Sequence, residues 1–273
     1  MKKYILFAFT FLSFSLNAQI NKIDHFFVSS PKAEKLFKLF KEELKLPVAW
    51  EYKTWGSFSS GAVSLGNVAF EFVSFDSVKT TKFDAIALEA RQPTEEFILV
   101  LDSRKIAHDT IEYNTYKKKD GSIGGWSTLN LRNLLPEDAG LFICDYKERD
   151  MILKATTSDS AELIKQKGGS LGVIALKEIV VGSINPLNNK KELSKLPGVI
   201  QGKKEVYNFM QGASIRLIKS NVGSIEKIVI RIHSITAARK YLKLHNLLGR
   251  SSDASLYIDP KAIEGLTIEL LSK

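Results

Sequence analysis

The chain has 273 residues but only four histidines and one cysteine, so a centre built on imidazole or thiolate has few places to form. The best placed is His25, in Ile23-Asp24-His25-Phe26-Phe27-Val28, which reads as a short strand. A later strand, Val68-Ala69-Phe70-Glu71-Phe72-Val73, carries a glutamate. Side chains alternate along a strand, so Ile23, His25 and Phe27 share one face and Ala69, Glu71 and Val73 share another. If both faces turn into one curved sheet, an imidazole and a carboxylate converge. That pair suits Zn²⁺, Fe²⁺, Ni²⁺ or Mn²⁺. Without a metal it is a hydrogen-bonded pair in a polar pocket. A third donor could come from Phe142-Ile143-Cys144-Asp145-Tyr146. A slip of one residue exchanges the faces of a strand. With Asp145 inward the set is His25, Glu71 and Asp145, with open positions. With Cys144 inward a thiolate serves instead. With neither, two protein ligands are too few for tight binding.

Trp50, Trp55 and Trp126 are candidates to line a cavity, because small-ligand sites combine aromatic walls with a few polar groups. The Ser- and Gly-rich segment 55–61 could touch a ligand through its backbone. Arg91 and Lys119 could attract an anionic substrate. His108, His233 and His245 read as surface or packing residues. A lone cysteine excludes an internal disulfide and a site of two or four cysteines, and Cys144 reads as a small buried hydrophobe. There is no phosphate loop, dinucleotide fingerprint or hydrolase-type Ser-His-Asp order.

These residues are positioned by a recurring pattern. In the stretch 21–76 a strand is followed by a helix, with Pro31 in its first turn and Leu36, Phe37, Phe40 and Leu44 at helical spacing, and then by three strands. The stretch 82–148 repeats this order, with Thr94 capping a helix, strands at His108–Tyr113, Trp126–Leu131 and Leu141–Tyr146, and a polar loop from Lys117 to Gly125. Between the halves, Ser158-Asp159-Ser160 opens a short capped helix that Gly168-Gly169 ends. The third stretch, about 170–220, has strands at Val173–Val181 and Ser214–Ile218, separated by a loop with Pro186 and Pro197. The fourth has a strand from Ile225, a helix from Ser234 to Leu248 closed by Gly249, and strands to the end. Repeated units of this length bury their apolar faces against one another.

The first residues read as a processing segment. Lys2 and Lys3 precede an apolar run from Tyr4 to Leu16, and Ala18 offers a cleavage point. The run is shorter than the roughly 20 residues of a spanning helix, so the expectation is export to the periplasm or beyond, the rival being an uncleaved anchor. No later segment is long and apolar enough to span a membrane, so no stable insertion is expected after cleavage. The formal charge of +9 is spread along the chain, which implies a solvated surface and no nucleic-acid partner.

The His25 and Glu71 strands within this strand–helix–strand–strand–strand order resemble the glyoxalase, or vicinal oxygen chelate, superfamily. The resemblance implies an α+β fold in which two βαβββ modules form one eight-stranded cup. Four modules would give two glyoxalase-like domains, at 21–150 and 170–273, after a leader at 1–18 and joined by a connecting helix at 151–169. In such proteins a metal is held at the His25 and Glu71 positions and by the matching pair of the second module. Laying Phe83-Asp84-Ala85-Ile86 on Ile23-Asp24-His25-Phe26 puts Ala85 at one matching place. In the second half the equivalent positions are Glu178, Arg216, Lys227 and Glu269, whose charges should pair with one another. Ring-cleaving dioxygenases of the superfamily keep two histidines and a glutamate there. Only Glu269 remains, which disfavours that activity.

What the resemblance implies is an exported protein acting on a small oxygenated metabolite in the first cavity. A divalent metal would act as Lewis acid in lyase-, isomerase- or dioxygenase-type chemistry, with Glu71 as ligand or base and His25 as ligand or hydrogen-bond donor. The alternative is a non-catalytic protein that binds or sequesters a small molecule, as some members capture antibiotics. A third reading is a scaffold for protein contacts with both cavities vestigial. The oligomeric state is left open.

Overall fold

The computed structural model describes residues 19–272 apart from Lys119. The leader at 1–18 and the anion-attracting role of Lys119 therefore lie outside the described residues. The first module comprises β1 (Ile20–Ser29), α1 (Ala33–Lys38, continued by a π-helical turn at Leu39–Glu43), β2 (Val48–Thr54), β3 (Phe58–Ser64) and β4 (Ala69–Phe75). The second comprises β5 (Lys82–Ala90), α2 (Thr94–Ser103), β6 (Glu112–Lys117), β7 (Ile123–Asn130) and β8 (Gly140–Tyr146). Helix α3 (Arg149–Lys165) leads to the third, with β9 (Val173–Ser183), α4 (Pro186–Leu193), β10 (Ile200–Gln201), β11 (Val206–Asn208) and β12 (Ser214–Lys219). The fourth has β13 (Ile225–Ile232), α5 (Ile235–Leu244), β14 (Leu248–Ser251), β15 (Ser255–Ile258) and β16 (Ile268–Ser272).

The fold is α+β, with two eight-stranded sheets ordered β2-β3-β4-β1-β5-β8-β7-β6 and β10-β11-β12-β9-β13-β16-β15-β14. Within each module the first strand runs parallel to the last, and the two first strands of a sheet pair antiparallel at its centre. Each sheet is thus two copies of one unit related by an approximate two-fold. The apolar faces of both sheets and residues from all five helices share one continuous core. Phe26, Phe40, Phe70 and Phe72 pack within it at centroid distances of 4.3–5.1 Å, Phe26 stacked on Phe70. Each such buried ring is worth about 1.5–3 kcal/mol relative to exposure.

Four local expectations are corrected. The segment around Pro186 is helical: Pro186 fits a first turn, and the Asn185 side chain accepts from the Asn188 amide at 3.3 Å. Helix α3 begins at Arg149, nine residues before the expected cap at Ser158. Helix α5 ends at Leu244, because Asn246 takes the left-handed conformation (φ 55°), and Gly249 falls inside β14. His108 makes only an isolated bridge to Leu131, and the strand expected there is β6, from Glu112.

Candidate functional site

His25 lies on the central strand β1, and Glu71 on its parallel neighbour β4. Strict alternation would send Asp24 to the opposite face. Here the β1–β5 register is interrupted between Ile23 and His25, and such a bulge re-aims side chains. Asp24 Oδ2 lies 2.7 Å from His25 Nδ1. The Tyr146 hydroxyl donates to the same oxygen at 2.7 Å. An ionised carboxylate only accepts, so Nδ1 carries the proton and Nε2 is turned toward Glu71. Nε2 is 3.6 Å from Glu71 Oε2, an ion-pair distance too long for a good hydrogen bond. Ser60 on β3 donates to Glu71, and Trp50 Nε1 reaches Ser60 Oγ at 3.4 Å. The imidazole is edge-on to Trp50 at 6.1 Å and to Phe142 at 5.7 Å. Asp24, His25 and Glu71 are each at most 9% exposed.

Charge on this line is shaped by burial and by its own members. Burial alone would lower the His25 pKa, but the hydrogen bond and charge of Asp24, with the charge of Glu71, raise it above 6.5. Burial opposes charge on Asp24, yet the bonds from His25 and Tyr146 hold its carboxyl below the ordinary range. For Glu71 burial prevails and raises the carboxyl, against the pull of His25 and Ser60. Burial also pushes the Cys144 thiol and the Tyr146 phenol well up.

The strand register identifies the matching pair in the second module. His25 pairs with Ala87 and Phe27 with Ala85 across β1 and β5, so the two-fold maps His25 onto Ala85. Glu71 lies beside Phe27 on β1, and Phe142 beside Ala87 on β5, so Glu71 maps onto Phe142. Neither Ala85 nor Phe142 can ligate a metal. Cys144, one strand step further, faces the cup with Ala85, Ala87 and Phe142. Asp145 does not join His25 and Glu71: it points to the helical side, where Oδ2 accepts from the Thr94 amide at 3.3 Å and Oδ1 from the Tyr146 amide at 2.9 Å. The same bookkeeping in the second sheet returns Glu178, Arg216, Lys227 and Glu269. They pair as Arg216–Glu178 at 2.9 Å and Lys227–Glu269 at 2.5 Å.

The set of four positions therefore does not fit a metal in either cup. Among the described residues one group is compact enough to hold an ion: ligand atoms of Asp24, His25 and Cys144 lie within 4.8 Å of one another. A nitrogen, an oxygen and a sulfur donor are a mixture that Zn²⁺ accepts.

Trp50 and Trp126 do face the cup, the former at the imidazole and the latter packed on the Ala85–Cys144 cluster. Trp55 meets Trp126 farther out. A cavity of about 90 Å³ adjoins Asp24, roofed by Ile152, Ala155, Thr156 and Asp159 of α3 and walled by Trp50 and Tyr146. That volume suits a few waters or a similarly small group. Gly61 serves packing, because a Cβ there would sit 2.7 Å from the Tyr52 backbone. Arg91 reaches Met210, His108 bonds Asp102 and the Asp109 carbonyl, and His245 stacks on Tyr241, so none of the three joins His25. Asp24, Ser60, Phe142 and Tyr146 were not singled out from the sequence as site residues. The only local signal was the Asp24-His25 doublet, whose meaning depends on a bulge.

No protein-family model and no curated protein matches the chain. Among solved structures, a hypothetical protein from Staphylococcus aureus superposes with a TM-score of 0.63 at 12% identity, covering 92% of this chain and 99% of that one. A variant of homoprotocatechuate 2,3-dioxygenase from B. fuscum superposes with a TM-score of 0.59 at 13% identity, covering 94% of this chain and 72% of that one. An extradiol ring-cleaving dioxygenase from B. fuscum gives 0.58 at 11%, over 94% and 73%. At such identities the likeness is one of fold: the chain has the tandem, vicinal-oxygen-chelate-like architecture.

Proposed function

We propose that the chain is an exported protein of the vicinal oxygen chelate type, with domains at 21–150 and 170–273, whose first cup takes a small oxygenated molecule and moves a proton on it. The carrying observation is the buried line Asp24–His25–Glu71 within aromatic walls. Asp24 fixes the imidazole tautomer. His25, whose raised pKa favours the doubly protonated ring, turns Nε2–H to the ligand side and stabilises negative charge there. Glu71, whose carboxyl burial raises above the ordinary range, takes the proton from carbon or hydroxyl. The raised Glu71 and lowered Asp24 are carboxyls pushed apart by their surroundings, a common mark of divided acid–base roles. In the second cup the metal-equivalent positions are closed by ion pairs, which favours the first.

The test is turnover of a panel of small carbonyl and diol compounds by the mature protein and by the His25→Ala, Glu71→Ala double variant. Normal activity in the double variant would falsify the assignment. Ligand binding by the native protein without turnover of any compound would favour the binding-protein reading instead.

A second reading rests on the Asp24, His25 and Cys144 group. There Asp24, His25 and Cys144 would hold a divalent ion, which would supply a Lewis acid to polarise a ligand oxygen. Metal content by mass spectrometry, beside His25→Ala and Cys144→Ser, decides it. About one equivalent lost in both variants supports the metal.

A further inference from the structure

The outer end of the cup carries an aromatic cluster that proton transfer leaves unused. Trp55 follows β2, Tyr116 lies on β6 and Trp126 on β7. Trp55 meets Tyr116 at 5.2 Å and 81°, and Trp126 at 5.7 Å and 85°. A cation already sits in this corner. Lys53 Nζ is 3.7 Å from the Trp55 ring centroid and 5.4 Å from that of Tyr116. Among the described residues no carboxylate pairs with Lys53, so the rings are what hold its ammonium. Trp55 Nε1 is buried without a hydrogen-bond partner.

We propose that Trp55, Tyr116 and Trp126 form a binding notch for an alkylated or quaternary ammonium group, which Lys53 occupies in the ligand's place. The ring faces are negative and attract a cation within about 6 Å of their centroids. A lysine ammonium is compact and strongly hydrated, so it gives up more water on stacking than a methylated ammonium does. A ligand of the second kind displaces Lys53, whose side chain is exposed and swings into solvent. An oxygen near the ligand's nitrogen would satisfy the open Trp55 donor. Choline carries both groups and is the natural probe. The inference stands apart from the roles of His25 and Glu71, since it needs only the rings and the cation.

The chain has three tryptophans, so in a Trp50→Phe background both remaining indoles belong to the notch. Choline is titrated into this protein and followed by tryptophan fluorescence. Adding Lys53→Ala should tighten choline binding about tenfold, because the competing ammonium is gone. Lys53→Arg keeps the notch filled and should leave the affinity at the parent's level. Trp55→Leu should abolish the response with the far-UV spectrum unchanged; if that variant unfolds, Tyr116→Leu takes its place. The neutral isostere 3,3-dimethylbutan-1-ol should bind far more weakly than choline. No gain in Lys53→Ala, or equal binding of the isostere, overturns the proposal.

Discussion

His25 is held between two carboxylates whose own pKa values are pushed in opposite directions, Asp24 down and Glu71 up. Its folded-state pKa lies above 6.5, so the protonated imidazole is favoured by folding. The associated stability is fully present below pH 6.5 and is lost as pH rises through the raised value. Denaturation followed from pH 6 upward should show this loss in the native protein and a flatter profile in His25→Gln. Asp24 acts in the opposite sense: its lowered pKa supplies stability above its ordinary 3.8 that fades as pH falls through the folded value. Tyr146→Phe removes a hydrogen bond to that buried charge and should cost about 1.5–3 kcal/mol in urea unfolding. At this scale the sequence was legible where pattern alone decides. Strand alternation pointed to His25 and Glu71, and charge pairing anticipated Glu178, Arg216, Lys227 and Glu269 as ion pairs. It did not decide between Cys144 and Asp145, because the face a strand presents depends on register. It missed Tyr146 and Phe142, because ordinary aromatic residues become site residues only when the second module is folded against the first.

Among the elements, α3 matters most for access. It roofs the small cavity beside Asp24, yet its fixed points lie toward its C-terminal end: Leu163 is 1% exposed, and the Ser160 hydroxyl donates to the Gly66 carbonyl. Of the described residues before Thr156, Asp150, Met151, Lys154 and Ala155 are exposed and Arg149 and Ile152 half-buried. Opening free energy follows buried contact, so hydrogen exchange should be fast over 149–156 and protected around 160–165. Leu163→Ala should cost about 2–5 kcal/mol and extend fast exchange over the whole helix. The strand–helix–strand–strand–strand order was readable in each module because its apolar spacing is strong. Boundaries failed where the deciding residue was weakly coded. Asn246 rather than Gly249 ended α5, and a helix stood where Pro186 and Pro197 had suggested a loop.

Across the whole molecule the halves are clasped rather than tethered. Asn67, in the turn before β4, donates to the Leu176 carbonyl and accepts its amide, both at 2.9 Å, so it pairs with β9 as a strand would. With one core running through both sheets, thermal unfolding should be a single transition whose calorimetric and van't Hoff enthalpies agree. Two separated transitions would contradict that continuity. Asn67→Ala leaves both Leu176 groups without their partner and should lower the midpoint without splitting the transition, at about 1–3 kcal/mol for each buried group left unmet. The sheet edges carry a consequence of another kind. The first sheet ends in β2 and β6, and the contacts of Trp55 with Tyr116 and Trp126 draw those two ends toward each other. The second sheet ends in β10, of two residues, and β14, of four with a break in its pairing. A long, flat, free edge invites another chain to add a strand. Strands β10 and β14 are short, whereas β2 and β6, of seven and six residues, are free edges whose ends the ring contacts tie down. The aromatic corner that holds Lys53 thereby also protects against aggregation, and loosening it by Trp55→Leu should raise light scattering on storage before it lowers the melting temperature.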